Sequence, residues 1–206
     1  MNSERVKRAE AEFLSRYPGG FDDPGLAPVR KKHRVDALAD LAASRLARAE
    51  FRQPSQIVDT LVRIVSRSSM VSLFEKPKFR DFARGLSGAD AHYLAAAMEQ
   101  RLYGPDHEAG FTALVDMLAA HRIARWPVVS AVPFYFAPQA EAFVKPTTAK
   151  RIIAYLEVDK LHYQPRPDWQ FYAGYRRLLD DVRAQVSPSL AANYATLSGF
   201  LMSALD

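Results

Sequence analysis

Apolar residues recur at intervals of three and four along most of the chain, which is the spacing of one helix face. The first run, Val6, Ala9, Phe13, Leu14 and Tyr17, sits behind Asn2 and Ser3 as capping residues, and the PGG at 18–20 ends it. A turn-rich FDDPGLAP follows. From about Pro28 to Glu50 the positions Val35, Leu38, Ala39, Ala42, Leu46 and Ala49 predict one long helix with a single apolar stripe. Pro54 then reads as the first-turn proline of a helix in which Ile57, Val58, Leu61, Val62, Ile64 and Val65 cover a wide arc. Its charges, Asp59, Arg63 and Arg67, fall on one narrow side, so this segment is the expected central helix.

Further on, Pro77 to Arg84 predicts a short basic-aromatic helix, and Ser87 with Asp90 opens the next in capping-box fashion. That helix carries Leu94, Ala95, Met98 and Leu102 as far as Gly104, and Asp106 caps another bearing Phe111, Leu114, Val115 and Leu118. The pattern changes at WPVVSAVPFYFAPQAEAFVKP, residues 126–146. Four prolines rule out one continuous helix there. VPFYF at 132–136 and AFVKP at 142–146 are short and β-prone, which predicts an irregular hairpin near 132–146 within a proline-stiffened connector at 126–146. Helix resumes after Pro146 with Ile152, Ile153 and Leu156 inward. LHYQPRP at 161–167 should be extended, since Gln164 and Arg166 each precede a proline. Asp168 and then the SPS at 187–189 start the last two helices. The expected fold class is mainly α, a single-domain bundle of about eight or nine helices spanning 1–206.

Composition supports that picture and narrows the chemistry. At 206 residues and 49% hydrophobic content, one well-packed core is the expectation. The chain has no cysteine, which removes disulfides, thiolate metal ligands and cysteine nucleophiles together. There is no Gly-rich phosphate loop, no G-x-S-x-G elbow and no H-E-x-x-H. His33, His92, His107, His121 and His162 are scattered, so no metal and no cofactor are expected. Adjacent Asp180 and Asp181 point about 100° apart on a helix, a poor arrangement for a carboxylate pair. No apolar run approaches the roughly 18 to 20 residues of a membrane span, and MNSERVKRAEAEFL lacks the apolar core of a signal peptide. A cytoplasmic protein without a membrane partner is the expectation.

Charge supplies the first candidate site. The chain carries a formal +5, and Arg30, Arg34, Arg45, Arg48 and Arg52 fall within roughly 60° of one another on the predicted 28–50 helix. With Lys31 and Lys32 at its start, such an edge could follow a phosphate backbone over about 30 Å. The plain structural alternative is a solvated flank whose arginine stems cover the core. KPKFR at 76–80 with Arg84 forms a second basic patch, read in the same way.

The second candidate is the proline-aromatic region. There Tyr135 and Tyr163 share a stretch of chain with Lys145, Lys150, Arg151 and Arg166, and aromatic faces beside cations can hold an anionic or planar ligand. The alternative is that irregular backbone needs large side chains to pack it onto the helices. The series W-P at 126–127, P-F-Y-F-A-P at 133–138, F-V-K-P-T-T-A-K-R at 143–151 and L-H-Y-Q-P-R-P-D-W-Q-F-Y at 161–172 resembles a segment of an uncharacterised bacterial protein family to which no activity is attached. That resemblance implies a bacterial origin and a recurring structural unit, and no mechanism. Three functions therefore stand as expectations. The first is a non-enzymatic helical binding protein contacting nucleic-acid phosphates, the second a protein-interaction module that homodimerises on an exposed face of the last helix. The third is an enzyme acting on a small anionic substrate at 126–172, with its catalytic residues unassigned.

Overall fold

A computed structural model describes residues 1–205. Among the described residues the chain forms eleven α-helices joined by short 3-10 turns and loops, and no strand. In chain order they are α1 (Ser3–Arg16), α2 (Ala27–His33), α3 (Val35–Arg45), α4 (Pro54–Arg67), α5 (Glu75–Arg84), α6 (Gly88–Tyr103), α7 (His107–Ala120), α8 (Trp126–Phe136), α9 (Pro146–Tyr155), α10 (Trp169–Arg183) and α11 (Tyr194–Ser203). No helix among them is long and apolar enough to cross a membrane.

Helix starts follow local chemistry closely. Asn2 accepts from Arg5 N at 3.2 Å, Asp106 from Ala109 N at 2.9 Å and Asp168 from Phe171 N at 2.8 Å. Ser87 and Asp90 cap each other reciprocally. Each of these side chains satisfies an amide that the helix itself leaves without a partner.

The core is organised around α8. Helices α3, α4, α6 and α7 all pack on it, and every residue from Trp126 to Tyr135 is buried. The wholly enclosed central helix is thus α8 and not α4, which keeps Asp59, Arg63 and Arg67 in solvent. On the other side of the molecule, α11 packs against α1, α9 and α10, with Tyr194, Leu197, Phe200 and Leu201 turned inward. The apolar side of the last helix is covered by the chain's own helices and is not an open face for a second copy.

Two expectations about local structure are corrected. The predicted hairpin near 132–146 does not form: VPFYF completes α8, residues 138–140 make a turn, and residues 141–145 follow without pairing to a strand. Pro133 lies inside α8 and deprives the Val129 carbonyl of its helical partner, a cost of about 3 kcal/mol. Burial outweighs it, because full burial of each of Val128, Val129, Val132 and Phe134 contributes about 1.5–3 kcal/mol. The helix ends one residue after Tyr135, and the extended piece finds side-chain partners in place of a second strand. Val144 N donates to Ser130 Oγ at 3.0 Å, and Ser130 Oγ itself donates to Trp126 O at 2.6 Å. Ala142 N donates to the Tyr172 hydroxyl at 3.2 Å.

The predicted 28–50 helix is also broken. Arg34 adopts φ 50° and ψ 38°, closing α2 and opening α3, and α3 stops at Arg45. Residues Arg48–Arg52 then form a 3-10 turn. No residue of α2 is buried, so nothing holds KKHR in register with the helix that follows. At the other end the Leu46 carbonyl accepts from the Tyr103 hydroxyl at 2.9 Å, which replaces helix continuation as its partner.

One buried ionic group ties the two halves together. Arg101 of α6 is 1% exposed, and its Nη1 and Nη2 donate to the Glu141 carboxylate at 3.1 and 2.5 Å. The Tyr172 hydroxyl donates to Glu141 Oε2 at 2.5 Å, and Arg176 Nη1 lies 3.7 Å from Oε1. Trp169 and Tyr172 each place a ring 5.4 Å from the Arg101 guanidinium carbon. The group thereby pins the 137–145 segment between α6 and α10.

Removing one member leaves a buried charge without its partner, so Glu141→Gln and Arg101→Met should each lower unfolding stability by about 3–5 kcal/mol. The double variant should lose less than the sum, and denaturant unfolding of all three proteins measures the difference. Additive losses would show that the pair is not coupled.

Candidate functional site

With the long helix broken, Arg30, Arg34, Arg45, Arg48 and Arg52 lie on three separate elements and not along one helix. Arg30 is turned back on the chain, its Nη1 donating to the carbonyls of Phe21 and Asp23. Arg48 lies over the Tyr103 ring at 5.8 Å with Nε 4.0 Å from Glu99. Lys31, Arg34, Arg45 and Arg52 are exposed and pair with no carboxylate among the described residues.

The residues nominated in the proline-aromatic region do not gather into one site, although Lys150 and Tyr163 meet. Tyr135 is fully buried, its hydroxyl 3.0 Å from Ser68 Oγ. Burial raises its pKa, and the Ser68 hydrogen bond opposes that rise in part. Lys150 places its ammonium 5.5 Å from the Tyr163 ring, Arg151 donates to the Leu205 carbonyl at 2.6 Å, and Arg166 pairs with Asp116 at 2.9 Å. An open groove of about 380 Å³ does run between α10 and the 158–168 loop, with Lys160, His162, Asp168, Arg177 and Asp181 on its walls. None of Tyr135, Lys145, Lys150, Arg151, Tyr163 and Arg166 lines it. The aromatic rings there pack on one another: Phe111, Trp126, Trp169, Phe171 and Tyr172 stand with centroids 5.1–6.4 Å apart.

A different convergence appears on the surface where α2 meets the 68–74 turn. His33 Nδ1 and Ser69 Oγ are hydrogen bonded at 2.9 Å, which fixes the end of α2 against that turn. The His33 pKa is lowered, first by burial and then by Lys32 and Lys145, so ammonium groups from α2 and from the N-cap of α9 bear on one imidazole. Lys31, Lys32 and Lys145 are exposed and form no ion pair among the described residues. From the turn, α5 carries Lys76, Lys78 and Arg80 onward, and Leu73 and Phe74 stand at its start, 80% and 83% exposed.

His33, Ser69, Leu73 and Phe74 do not stand out in the apolar pattern, yet two signals point to Leu73 and Phe74. S-L-F-E at 72–75 has capping-box spacing, which assigns Leu73 and Phe74 to a first turn. Phe74 is also five residues before Phe79 and eight before Phe82, about 110° out of phase with the buried face those two share. The buried charge had its own signal, since Arg101 follows Leu94, Ala97 and Met98 on a core stripe.

The buried tyrosines give a pH test of the packing. Burial holds Tyr175 up to about 12 despite an opposing hydrogen bond from Ser198, and it pushes Tyr172 higher still, with Glu141 adding to the rise. In the unfolded chain both ionise near 10. A folded pKa above the unfolded one makes a contribution that is intact below pH ~10 and is lost as pH rises, at about 1.4 kcal/mol per pH unit for each such tyrosine. Unfolding free energy should therefore be level approaching pH ~10 and fall steeply above it, with phenolate absorbance of the buried rings appearing together with loss of helical circular dichroism. Titration of every tyrosine while the helices persist would contradict this.

No protein-family model, no curated protein and no solved structure matches this chain.

Proposed function

We propose that this chain is a non-enzymatic helical binding protein that contacts nucleic-acid phosphates through the basic face formed by α2, the 68–74 turn and the Lys145 corner. The observation that carries the reading is that Lys31, Lys32 and Lys145 are exposed with no carboxylate among the described residues paired to them, and that Lys32 and Lys145 both act to lower the pKa of His33, which is fixed by its hydrogen bond to Ser69. Cations gathered in this way gain nothing from one another. A polyanion supplies the missing partner and releases its condensed counterions as it binds. The formal charge of +5 favours the approach of such a ligand from a distance. Contacts of this kind position a backbone without reading sequence, so the expected binding is sensitive to salt and tolerant of base order.

The face differs from the arginine edge expected of a single helix, and the two make opposite forecasts. A Lys31→Glu, Lys32→Glu, Lys145→Glu variant should lose binding to a labelled oligonucleotide. Its plot of log affinity against log salt should flatten by about 2 for a single strand, as removal of three phosphate contacts requires. Arg48→Glu, at a side chain already engaged with Tyr103 and Glu99, should bind as the wild type does. Fluorescence anisotropy at about 50 and 200 mM salt reads both variants. Wild-type affinity in the triple variant, with helical circular dichroism unchanged, would overturn the proposal.

A further inference from the structure

Leu73 and Phe74 are the two most exposed large apolar residues of the described chain; the next, Tyr93, is 51% exposed. Single apolar side chains on a surface are ordinary, but an adjacent pair of this size rimmed by cations is the pattern of a contact site. Their exposure does not come from a loose loop. Ser72 Oγ accepts from Glu75 N at 3.2 Å while Ser72 N donates to Glu75 Oε2 at 3.3 Å, a reciprocal pair that fixes both residues in the turn leading into α5. Just before it, Val71 is buried, and Ser68 Oγ accepts from Met70 N while bonding the Tyr135 hydroxyl of α8. The turn is thus anchored in the core, and the pair is presented in a fixed orientation.

The cations near the pair are laid out in a file. Along α5, Lys76, Arg80 and Arg84 follow Leu73 at three, seven and eleven residues and share one side of the helix, while Lys78 follows Phe74 by four and lies about 160° away from Lys76. Arg84 ends the file paired with Asp81 at 3.8 Å. In the other direction the Ser69 to His33 contact leads to Lys31 and Lys32. Apolar residues that dip into a lipid surface work best with cations ringed at one depth around them. A file extending about 15 Å along a helix, with Phe74 beside its start, suits a strand whose phosphates follow Lys76 and Arg80 while one base leaves the line to stack.

Resting on the phosphate-binding reading above, we infer that the ligand is a single-stranded nucleic acid and that Phe74, backed by Leu73, is the platform on which an unpaired base stacks. Every base offers a π face, so this contact adds affinity without sequence preference. In a duplex the base faces are already stacked, and the same contact would require a step to be pried open.

The test uses the full-length protein, a labelled oligo-dT, an abasic oligomer of equal length and a duplex, followed by anisotropy at one low salt concentration. Wild type should bind oligo-dT roughly 5- to 150-fold more tightly than the abasic strand, the range that one stacked base supplies. Phe74→Ala should erase that difference and leave the salt slope unchanged, and Phe74→Trp should restore it. Equal affinity for all three oligomers, with Phe74→Ala binding as wild type does, would overturn the stacking inference while leaving the basic face intact, provided the lysine-to-glutamate variant still fails to bind. Wild-type binding by that lysine variant would overturn both. Sedimentation with phosphatidylserine vesicles that depends on Leu73 and Phe74, without oligonucleotide binding, would overturn both and assign the pair to a lipid surface.

Discussion

Arg101 can lie inside this protein only because Glu141 does, and much of the architecture follows from that requirement. A guanidinium on the apolar stripe of α6 carries a desolvation cost that neither ring packing nor neutral hydrogen bonds repay, so a carboxylate has to be brought to it. The 137–145 segment supplies it: it hands Glu141 inward and takes the Tyr172 hydroxyl as partner for both the carboxylate and the Ala142 amide. Once that segment is fixed, α8 must end at Phe136 and α9 must begin at Pro146, on either side of it. Burial disfavours the charge on Arg101, yet its interactions with Tyr172 and Glu141 outweigh that effect and hold its pKa above the ordinary value. The group is structural chemistry: its oxygens are engaged from several sides, and the groove along α10 opens elsewhere.

How far the sequence could be read depended on whether a segment's structure is set locally. Caps were legible, because Asn2, Ser87, Asp106 and Asp168 act on amides two or three residues away. The amphipathic helices were legible for a similar reason, since their periodicity records one buried face. In α8, β-branched and aromatic residues with an internal proline argue for a strand on local grounds, but enclosure on all sides makes the self-satisfied hydrogen bonds of a helix the better solution. The left-handed Arg34 was hidden too, because a non-glycine residue there depends on what its neighbours fail to bury.

The candidate site divides in the same way. Charge and its sign are properties of the sequence, so an overall basic surface was foreseeable. Which cations share a face is a property of the fold. The shift from an arginine edge on one helix to a lysine cluster around His33 turns on a 50° φ at Arg34 and a carbonyl captured by Tyr103, neither visible in a pattern of apolar positions. Arg30 and Arg48 became structural through those same two events. Lys145 joined the cluster because Pro146 begins α9 and leaves Lys145 as its N-cap, with an extended backbone at the surface.

A physical link joins the core to the proposed binding face. Tyr135 is buried on α8, and its hydroxyl meets Ser68, whose Oγ in turn receives the amide of Met70. The next residue in that direction, Ser69, bonds His33, and Ser72 caps the turn that presents Leu73 and Phe74. Three serine contacts therefore fix the five residues of backbone, without regular helix, that connect the core to the most exposed aromatic. Burial opposes ionisation of Tyr135, so it stays a neutral hydroxyl able to donate, and the orientation of the turn is inherited from the core. Binding surfaces on mobile loops lose affinity when their ordering must accompany association. Here the ordering is completed during folding, by the same packing that forced α8 to be a helix.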